Sequence, residues 1–88
     1  MKVVKIVYDK ASKYIIDLFD EFEDEIMLEL YNYDSKQKKD CIPILTKYGA
    51  REKPLIVFEN EMGEYAAHWA ESNEDITPEL IRKYLNAD

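Results

Sequence analysis

The feature that most constrains the fold is the stretch 47–60, where a helix end is followed closely by a buried strand. Gly49 comes directly after the apolar periodicity that ends at Tyr48, and glycine readily adopts the left-handed conformation in which helices commonly stop. The run Leu55–Phe58 is apolar throughout, with β-branched and aromatic character, which predicts a strand covered on both faces. Pro54 is predicted at the first position of this strand, where a missing N–H disturbs a sheet least. The chain must therefore pack helices on both faces of a sheet.

This stretch resembles the thioredoxin family. In that family a helix ending in Lys-Tyr-Gly leads through a short basic loop to a cis-proline, which begins a central strand closing in Phe-x-Asn-Gly. The matching residues here are Lys47, Tyr48, Gly49, Arg51, Pro54, Phe58 and Asn60. The family's final glycine is displaced to Gly63, which predicts a hairpin about two residues longer. The likeness ends with an amphipathic helix at Leu80–Ala87, and it implies a cis Lys53–Pro54 bond.

Residue patterning places the first three elements in the order β, α, β. A dense apolar strand is predicted from Lys2 to Tyr8 and a helix from about residue 11 to 24. The helical stripe expected to face the core comprises Tyr14, Ile15, Leu18, Phe19 and Phe22. A second strand is predicted at Ile26–Tyr33, and Glu29 within it favours a position at the sheet edge.

The remaining elements extend the order to βαβαββα. A short second helix ending near Tyr48 is predicted to begin after Asp40 as its N-cap, which would place Pro43 in the first turn. A fourth strand is predicted at 64–70 after a hairpin, and Thr77 should cap the last helix with Pro78 as its first residue. These patterns predict an α/β fold, a four-stranded mixed sheet with helices on both faces. The thioredoxin resemblance implies strand order 2-1-3-4.

Length and charge limit the functional classes. The 88 residues are predicted to form one domain, 1–88, too small to contain a second. A net charge of −7 argues against a nucleic-acid partner, since phosphate contacts require clustered basic residues. No apolar run is long enough to cross a membrane and no targeting segment is visible, so we expect a cytoplasmic protein.

The catalytic machinery of the resembled family is absent. Alignment on the thioredoxin pattern places the four motif positions at 9–12, where Asp9, Lys10, Ala11 and Ser12 stand instead of the two cysteines. Asp9 is interpreted as an N-cap. The single cysteine, Cys41, excludes an intrachain disulfide and is interpreted as a small buried hydrophobe. We therefore expect no enzyme activity, no cofactor and no metal.

Three functions remain open. The first is a redox-inactive, thioredoxin-like protein-binding or regulatory module, a monomer or weak dimer. The resemblance implies a binding ledge, and its candidate residues are Tyr8, Asp9, Lys10, Ala11, Ser12, Lys53 and Pro54. The second is a single-thiol protein using Cys41. The third is an acidic inhibitor that occupies a basic surface of a larger protein through the candidate docking face Asp17, Asp20, Glu21 and Asp24.

Overall fold

The computed structural model describes residues 2–50, 54–60, 63–69 and 76–86. They form a mixed α/β structure, which confirms the predicted class. The strands are β1 (Lys2–Tyr8), β2 (Ile26–Asn32), β3 (Leu55–Asn60) and β4 (Gly63–Trp69). The helices are a 3₁₀ helix (Lys10–Phe22), α1 (Lys38–Tyr48) and α2 (Pro78–Asn86). No helix in these ranges is long and apolar enough to cross a membrane.

The strands form one mixed sheet in the order β2-β1-β3-β4. β1 and β2 are parallel, with Val4 beside Leu28. β1 and β3 are antiparallel, with Val7 beside Leu55. β2 lies at an edge, as Glu29 in its sequence predicts. The two ends of the predicted hairpin, Asn60 and Gly63, pair with each other, and residues 61 and 62 lie outside the described ranges.

The two faces of the sheet are covered differently. The first, called here the two-helix face, packs against the 3₁₀ helix and α2. Its buried cluster comprises Val4, Ile6, Ile15, Phe19, Phe22, Ile26, Ile56, Phe58, Ile81 and Leu85. The other, called the one-helix face, packs against α1. Its buried cluster comprises Val7, Cys41, Leu45, Ala50, Leu55 and Val57.

The first helix differs from the expected α-helix because it has 3₁₀ hydrogen bonding over 13 residues, a long run for that type. At three residues per turn, side chains three apart lie above one another. Tyr14 therefore falls in line with Ala11 and Asp17 and is 66% exposed. The prediction that Tyr14 faces the core was wrong, whereas Ile15, Phe19 and Phe22 are buried as expected.

The second helix begins earlier than predicted. α1 starts at Lys38, Gln37 holds the N-cap position, and Pro43 lies in the second turn rather than the first. The preceding turn causes this shift, because the Gln37 carbonyl accepts hydrogen bonds from the backbone N–H groups of Asp40 and Cys41. Proline lacks the N–H that would bond the Lys39 carbonyl. Lys39 and Pro43 are both exposed, so water can reach that carbonyl.

The predicted end of α1 and the predicted start of α2 agree with the structure. Gly49 adopts φ 66° and ψ 21°, and the Ala50 N–H donates to the Leu45 carbonyl at 3.0 Å, which completes a Schellman motif after α1. At the start of α2, Thr77 Oγ1 accepts from the Leu80 N–H at 3.1 Å and Pro78 is the first helical residue. The Lys53–Pro54 peptide bond lies outside the described residues.

Candidate functional site

The candidate ledge begins where β1 passes into the 3₁₀ helix. Asp9 is the N-cap, as predicted, and its Oδ1 accepts from the Ser12 N–H at 3.0 Å. The Ser12 hydroxyl in turn accepts from the Asp9 N–H at 3.0 Å and lies 2.7 Å from Asp9 Oδ1. This reciprocal capping box satisfies backbone donors that the first helical turn leaves unpaired. Ser12 is only 4% exposed, so it supports the ledge from below and does not face a partner.

A second carboxylate reaches this helix end from the loop after β2. Asp34 Oδ2 accepts from the Lys10 N–H at 2.7 Å. The loop itself is held by local hydrogen bonds, because the Asn32 side chain accepts from the Asp34 N–H and the Ser35 hydroxyl donates to the Asn32 carbonyl. Sequence reasoning missed Asp34. The available signal was Asn32 at the end of β2 and Asp34 just after it, since the parallel strands β1 and β2 end at the same edge of the sheet.

Pro54 lies at the same end of the sheet. Val7 pairs with Leu55, so one step further along these antiparallel strands Pro54 lies beside Tyr8. Both residues are half-buried, while Lys10 and Ala11 are exposed. The structure therefore places Pro54 at the same end of the sheet as Tyr8, Asp9, Lys10 and Ala11. Lys53, the remaining predicted member, lies outside the described residues.

The chemistry available at the ledge is hydrogen bonding and charge. The carboxylates of Asp9 and Asp34 are both engaged by backbone N–H groups of the helix end. Cys41, the sequence's sole thiol, is fully buried in the cluster of the one-helix face, as predicted for a small hydrophobe. Within residues 2–50, 54–60, 63–69 and 76–86, no group of three His, Cys, Asp or Glu side chains is placed to hold a metal ion.

The predicted acidic face lies on the solvent side of the 3₁₀ helix. Every third residue of this side is exposed, and these residues, called here the acidic row, are Ala11, Tyr14, Asp17, Asp20 and Glu23. Glu21 and Asp24 are also exposed but belong to a neighbouring row. The sequence prediction of this face did not include Tyr14 and Glu23. On an α-helix, with 3.6 residues per turn, residues three apart drift around the axis and do not form a straight row with Asp17 and Asp20. The acidic row carries three carboxylates at successive turns.

The far end of the 3₁₀ helix is tied to α2. Arg82 donates two hydrogen bonds of 2.7 Å to the carboxylate oxygens of Glu25. This pairing lowers the pKa of Glu25 and raises that of Arg82. The guanidinium also lies over the Phe22 ring, 4.9 Å from its centroid. Both charged groups are half-exposed, so the pair contributes little to the stability of the fold.

The one-helix face carries polar groups beside its hydrophobic cluster. Lys5 Nζ lies 2.9 Å from Glu59 Oε1, and this contact, with Glu29 nearby, raises the pKa of Lys5. The Tyr31 hydroxyl donates to Glu29 Oε1 at 3.0 Å. Partial burial is the main cause of the raised pKa of Tyr31, and the hydrogen bond to the Glu29 carboxylate is the second. Only the register between the strands identifies Glu29 and Glu59 as neighbours of Lys5.

A groove opens beside this polar group, between α1 and the sheet. Its volume is about 220 Å³, and its walls include Pro43, Ile44 and Lys47 of α1 and Lys5, Val57 and Glu59 of the sheet. Ile42 on the same helix is 49% exposed. The one-helix face thus leaves apolar side chains accessible next to lysines.

Comparison with known proteins does not assign the chain to a family. No protein-family model matches the sequence, and no curated protein matches it significantly.

Proposed function

We propose that this chain is a redox-inactive, thioredoxin-like domain of the cytoplasm that binds an extended segment of a partner protein at the ledge. The observation that carries the proposal is the register of β1 and β3, which sets Pro54 beside Tyr8 at the end of β1 where the first helix begins. The sheet order β2-β1-β3-β4, with the parallel pair at one edge, supports the thioredoxin-like part of the proposal.

The local chemistry supports a binding role over a redox one. Thiol–disulfide exchange needs a thiolate at a helix N-terminus, where the helix dipole lowers its pKa. At this helix N-terminus the Asp9 and Ser12 side chains form a capping box instead. The carboxylates of Asp9 and Asp34 thus accept the backbone N–H groups of Ser12 and Lys10, which would otherwise be available to a thiolate. Burial also disfavours the single-thiol alternative, since reactive cysteines are accessible and Cys41 is not.

The ledge fits an extended peptide for geometric reasons. It joins an exposed helix start, Lys10 and Ala11, to the half-buried Pro54 at the end of the sheet. Extended segments bind such sites chiefly through main-chain hydrogen bonds, and side-chain pockets add specificity. Lys10 is exposed and can pair with an acidic side chain of the peptide, because the nearby carboxylates of Asp9 and Asp34 already accept backbone N–H groups.

The acidic inhibitor remains the second candidate, and one observation favours it. The acidic row is exposed along its whole length, with Asp17 and Asp20 stacked one turn apart. A basic surface on a larger protein would meet successive carboxylates there. Ledge binding and acidic-row binding use different residues and are therefore separable by mutation.

A peptide selection tests the proposal. Peptides selected from a random displayed library against the wild-type protein would be measured for affinity and mapped by amide chemical-shift changes. We expect the shifts at Tyr8, Ala11 and Leu55, and we expect Lys10→Glu to weaken binding about fivefold, the value of roughly 1 kcal/mol for an exposed charge pair. Lys83→Glu on α2 is the matched control, with the same charge change at an exposed site.

The opposite pattern would favour the acidic inhibitor. If the triple variant Asp17→Lys, Asp20→Lys and Asp24→Lys abolishes binding while Lys10→Glu has no effect, the ledge proposal is wrong. Turnover of insulin disulfides at a rate comparable to a thioredoxin, lost in Cys41→Ala, would refute the redox-inactive reading separately. Thermal unfolding of each variant excludes a loss of fold as the cause.

A further inference from the structure

The two helices that lie on opposite faces of the sheet carry opposite charge. The segment 9–25, which contains the 3₁₀ helix, has seven carboxylates and two lysines, a net charge of −5. The segment 36–47, which contains most of α1, has four lysines and one aspartate, a net charge of +3. The molecule as a whole has a net charge of −7, so the basic side is a local exception.

The basic side also presents an unpartnered apolar surface. Ile42 and Pro43 are exposed on α1, and Pro43 forms part of the groove wall. Lys39 and Lys47 lie four residues before and after Pro43, so they flank it on the same side of the helix. We call these four residues, with the groove, the α1 patch. A groove of about 220 Å³ lies below the 300–1,000 Å³ typical of small-molecule sites and has room for a side chain.

The acidic row matches the α1 patch in chemistry and in spacing. It presents one aromatic side chain, Tyr14, which is 66% exposed, followed by Asp17 and Asp20. Three residues of a 3₁₀ helix advance about 6 Å. Four residues of an α-helix also advance about 6 Å. When Tyr14 meets the groove beside Pro43, Asp17 therefore falls opposite Lys39 or Lys47, whichever way the row runs.

We propose that the α1 patch docks the acidic row of a second copy of this chain, with Tyr14 in the groove and Asp17 paired with a lysine. The two surfaces lie on opposite faces of the sheet, so the contact is heterologous, and a pair of copies keeps one acidic row and one α1 patch unused. Such contacts continue from copy to copy unless they close into a ring. A helix-on-helix contact is small, and the association is accordingly weak and reversible.

Salt dependence distinguishes this contact from a purely apolar one. At about 0.01 M salt the Debye length is about 30 Å, comparable to the 30 × 26 × 25 Å molecule, so two chains of charge −7 repel each other. At about 0.15 M it is about 8 Å, which screens that repulsion and retains the close pairs. At about 1 M, where it is about 3 Å, the pairs weaken as well. Association is strongest at intermediate salt.

Sedimentation equilibrium over a range of concentrations tests the proposal. At about 0.15 M salt and on the order of 1 mM protein, we expect the weight-average mass to reach roughly twice 10.4 kDa and to continue rising with concentration. The double variants Lys39→Glu with Lys47→Glu, and Asp17→Lys with Asp20→Lys, should each remain monomeric. The quadruple variant exchanges the charges of both surfaces at an unchanged net charge and should associate again, as should a mixture of the two doubles.

The controls separate pairing from net charge and from folding. The single variant Lys47→Glu should weaken association, whereas Lys83→Glu, which changes the net charge equally, should leave association unaltered. Tyr14→Ser should reduce the association constant about tenfold or more. A wild-type mass that stays at the monomer value up to about 1 mM overturns the proposal. So does a plateau at the dimer mass, which would indicate a two-fold symmetric contact. So does a quadruple variant that folds and remains monomeric.

Discussion

The two faces of the sheet are built from the same strands, but helices cover one face more completely than the other. Among the side chains that the structure describes, the two-helix face buries ten, including the chain's three phenylalanines, and Phe58 stacks on Tyr84 of α2 with ring centroids 4.8 Å apart. Of the same set, the one-helix face buries six and exposes polar pairs and a groove beside them. Stability should therefore depend chiefly on the first face, because buried apolar area is the main favourable contribution to folding.

The difference also separates stability from recognition. A second helix on the one-helix face would cover the groove and the Lys5–Glu59 pair, which are both accessible now. On the two-helix face, the 3₁₀ helix covers the sheet with its buried side and leaves its acidic row exposed to solvent. Surfaces available for partners are thus found where the packing is incomplete or where a helix has a fully exposed row.

Truncating a large side chain on the two-helix face should have the greatest effect. Phe19→Ala removes a ring that is 1% exposed, and we expect it to lower the free energy of unfolding by about 3–5 kcal/mol. Leu45→Ala on the one-helix face, 8% exposed, should cost about 2 kcal/mol. Urea unfolding followed by circular dichroism measures both. A loss from Leu45→Ala as large as or larger than that from Phe19→Ala would contradict the expected dependence on the two-helix face.

Pro43→Ala should strengthen the one-helix face. Proline in the interior of a helix costs about 3 kcal/mol relative to alanine. Proline also restricts the unfolded chain, and losing that restriction in the variant reduces the gain by up to about 1 kcal/mol. Because Pro43 is exposed, little packing is lost. We expect the free energy of unfolding to rise by about 2 kcal/mol in chemical denaturation. A decrease would mean that Pro43 contributes packing in the groove that outweighs the missing hydrogen bond.

Gly49→Ala, at the end of the helix on the same face, should lower the free energy of unfolding by a smaller amount than the change expected for Pro43→Ala. The residue has φ 66°, and an added Cβ would meet no atom within 4 Å, so the cost is confined to backbone strain. That strain is about 1 kcal/mol for a left-handed alanine. Thermal unfolding would show a correspondingly lower midpoint, and Gly49→Asn should recover part of it because asparagine tolerates this conformation. A loss several times larger would contradict the observed helix end.

The polar pairs of the one-helix face should give the smallest effect, visible only at alkaline pH. The folded-state pKa values of Lys5 and Tyr31 both lie above their ordinary values of 10.5 and 10.0. Each group therefore adds stability below its unfolded pKa, and that contribution is lost as the pH rises through the folded pKa. We expect a loss of less than about 1 kcal/mol above about pH 10, absent in the variant Lys5→Met with Tyr31→Phe. Unfolding free energies measured between about pH 8 and 12 would check this.

Local sequence signals determined where several elements begin and end. Asp9, Gly49 and Thr77 act within one turn of their own positions, through a cap or a backbone conformation that neighbouring residues cannot supply. The apolar runs of β1 and β3 likewise predicted buried strands, because a strand covered on both faces has no polar alternation to obscure it.

The winding of the first helix and the contacts between residues distant in sequence were decided by the tertiary structure. The 3₁₀ winding of Lys10–Phe22 turned Tyr14 to solvent, whereas its apolar character alone favoured burial. The contact of Asp34 with Lys10 and the pairing of Lys5 with Glu59 join residues 24 and 54 positions apart, and only the register of the strands brings them together. The position of Pro54 beside Tyr8 has the same origin. Caps and turns are local and can be predicted from sequence, but helix winding and cross-strand neighbours follow from how the whole sheet packs.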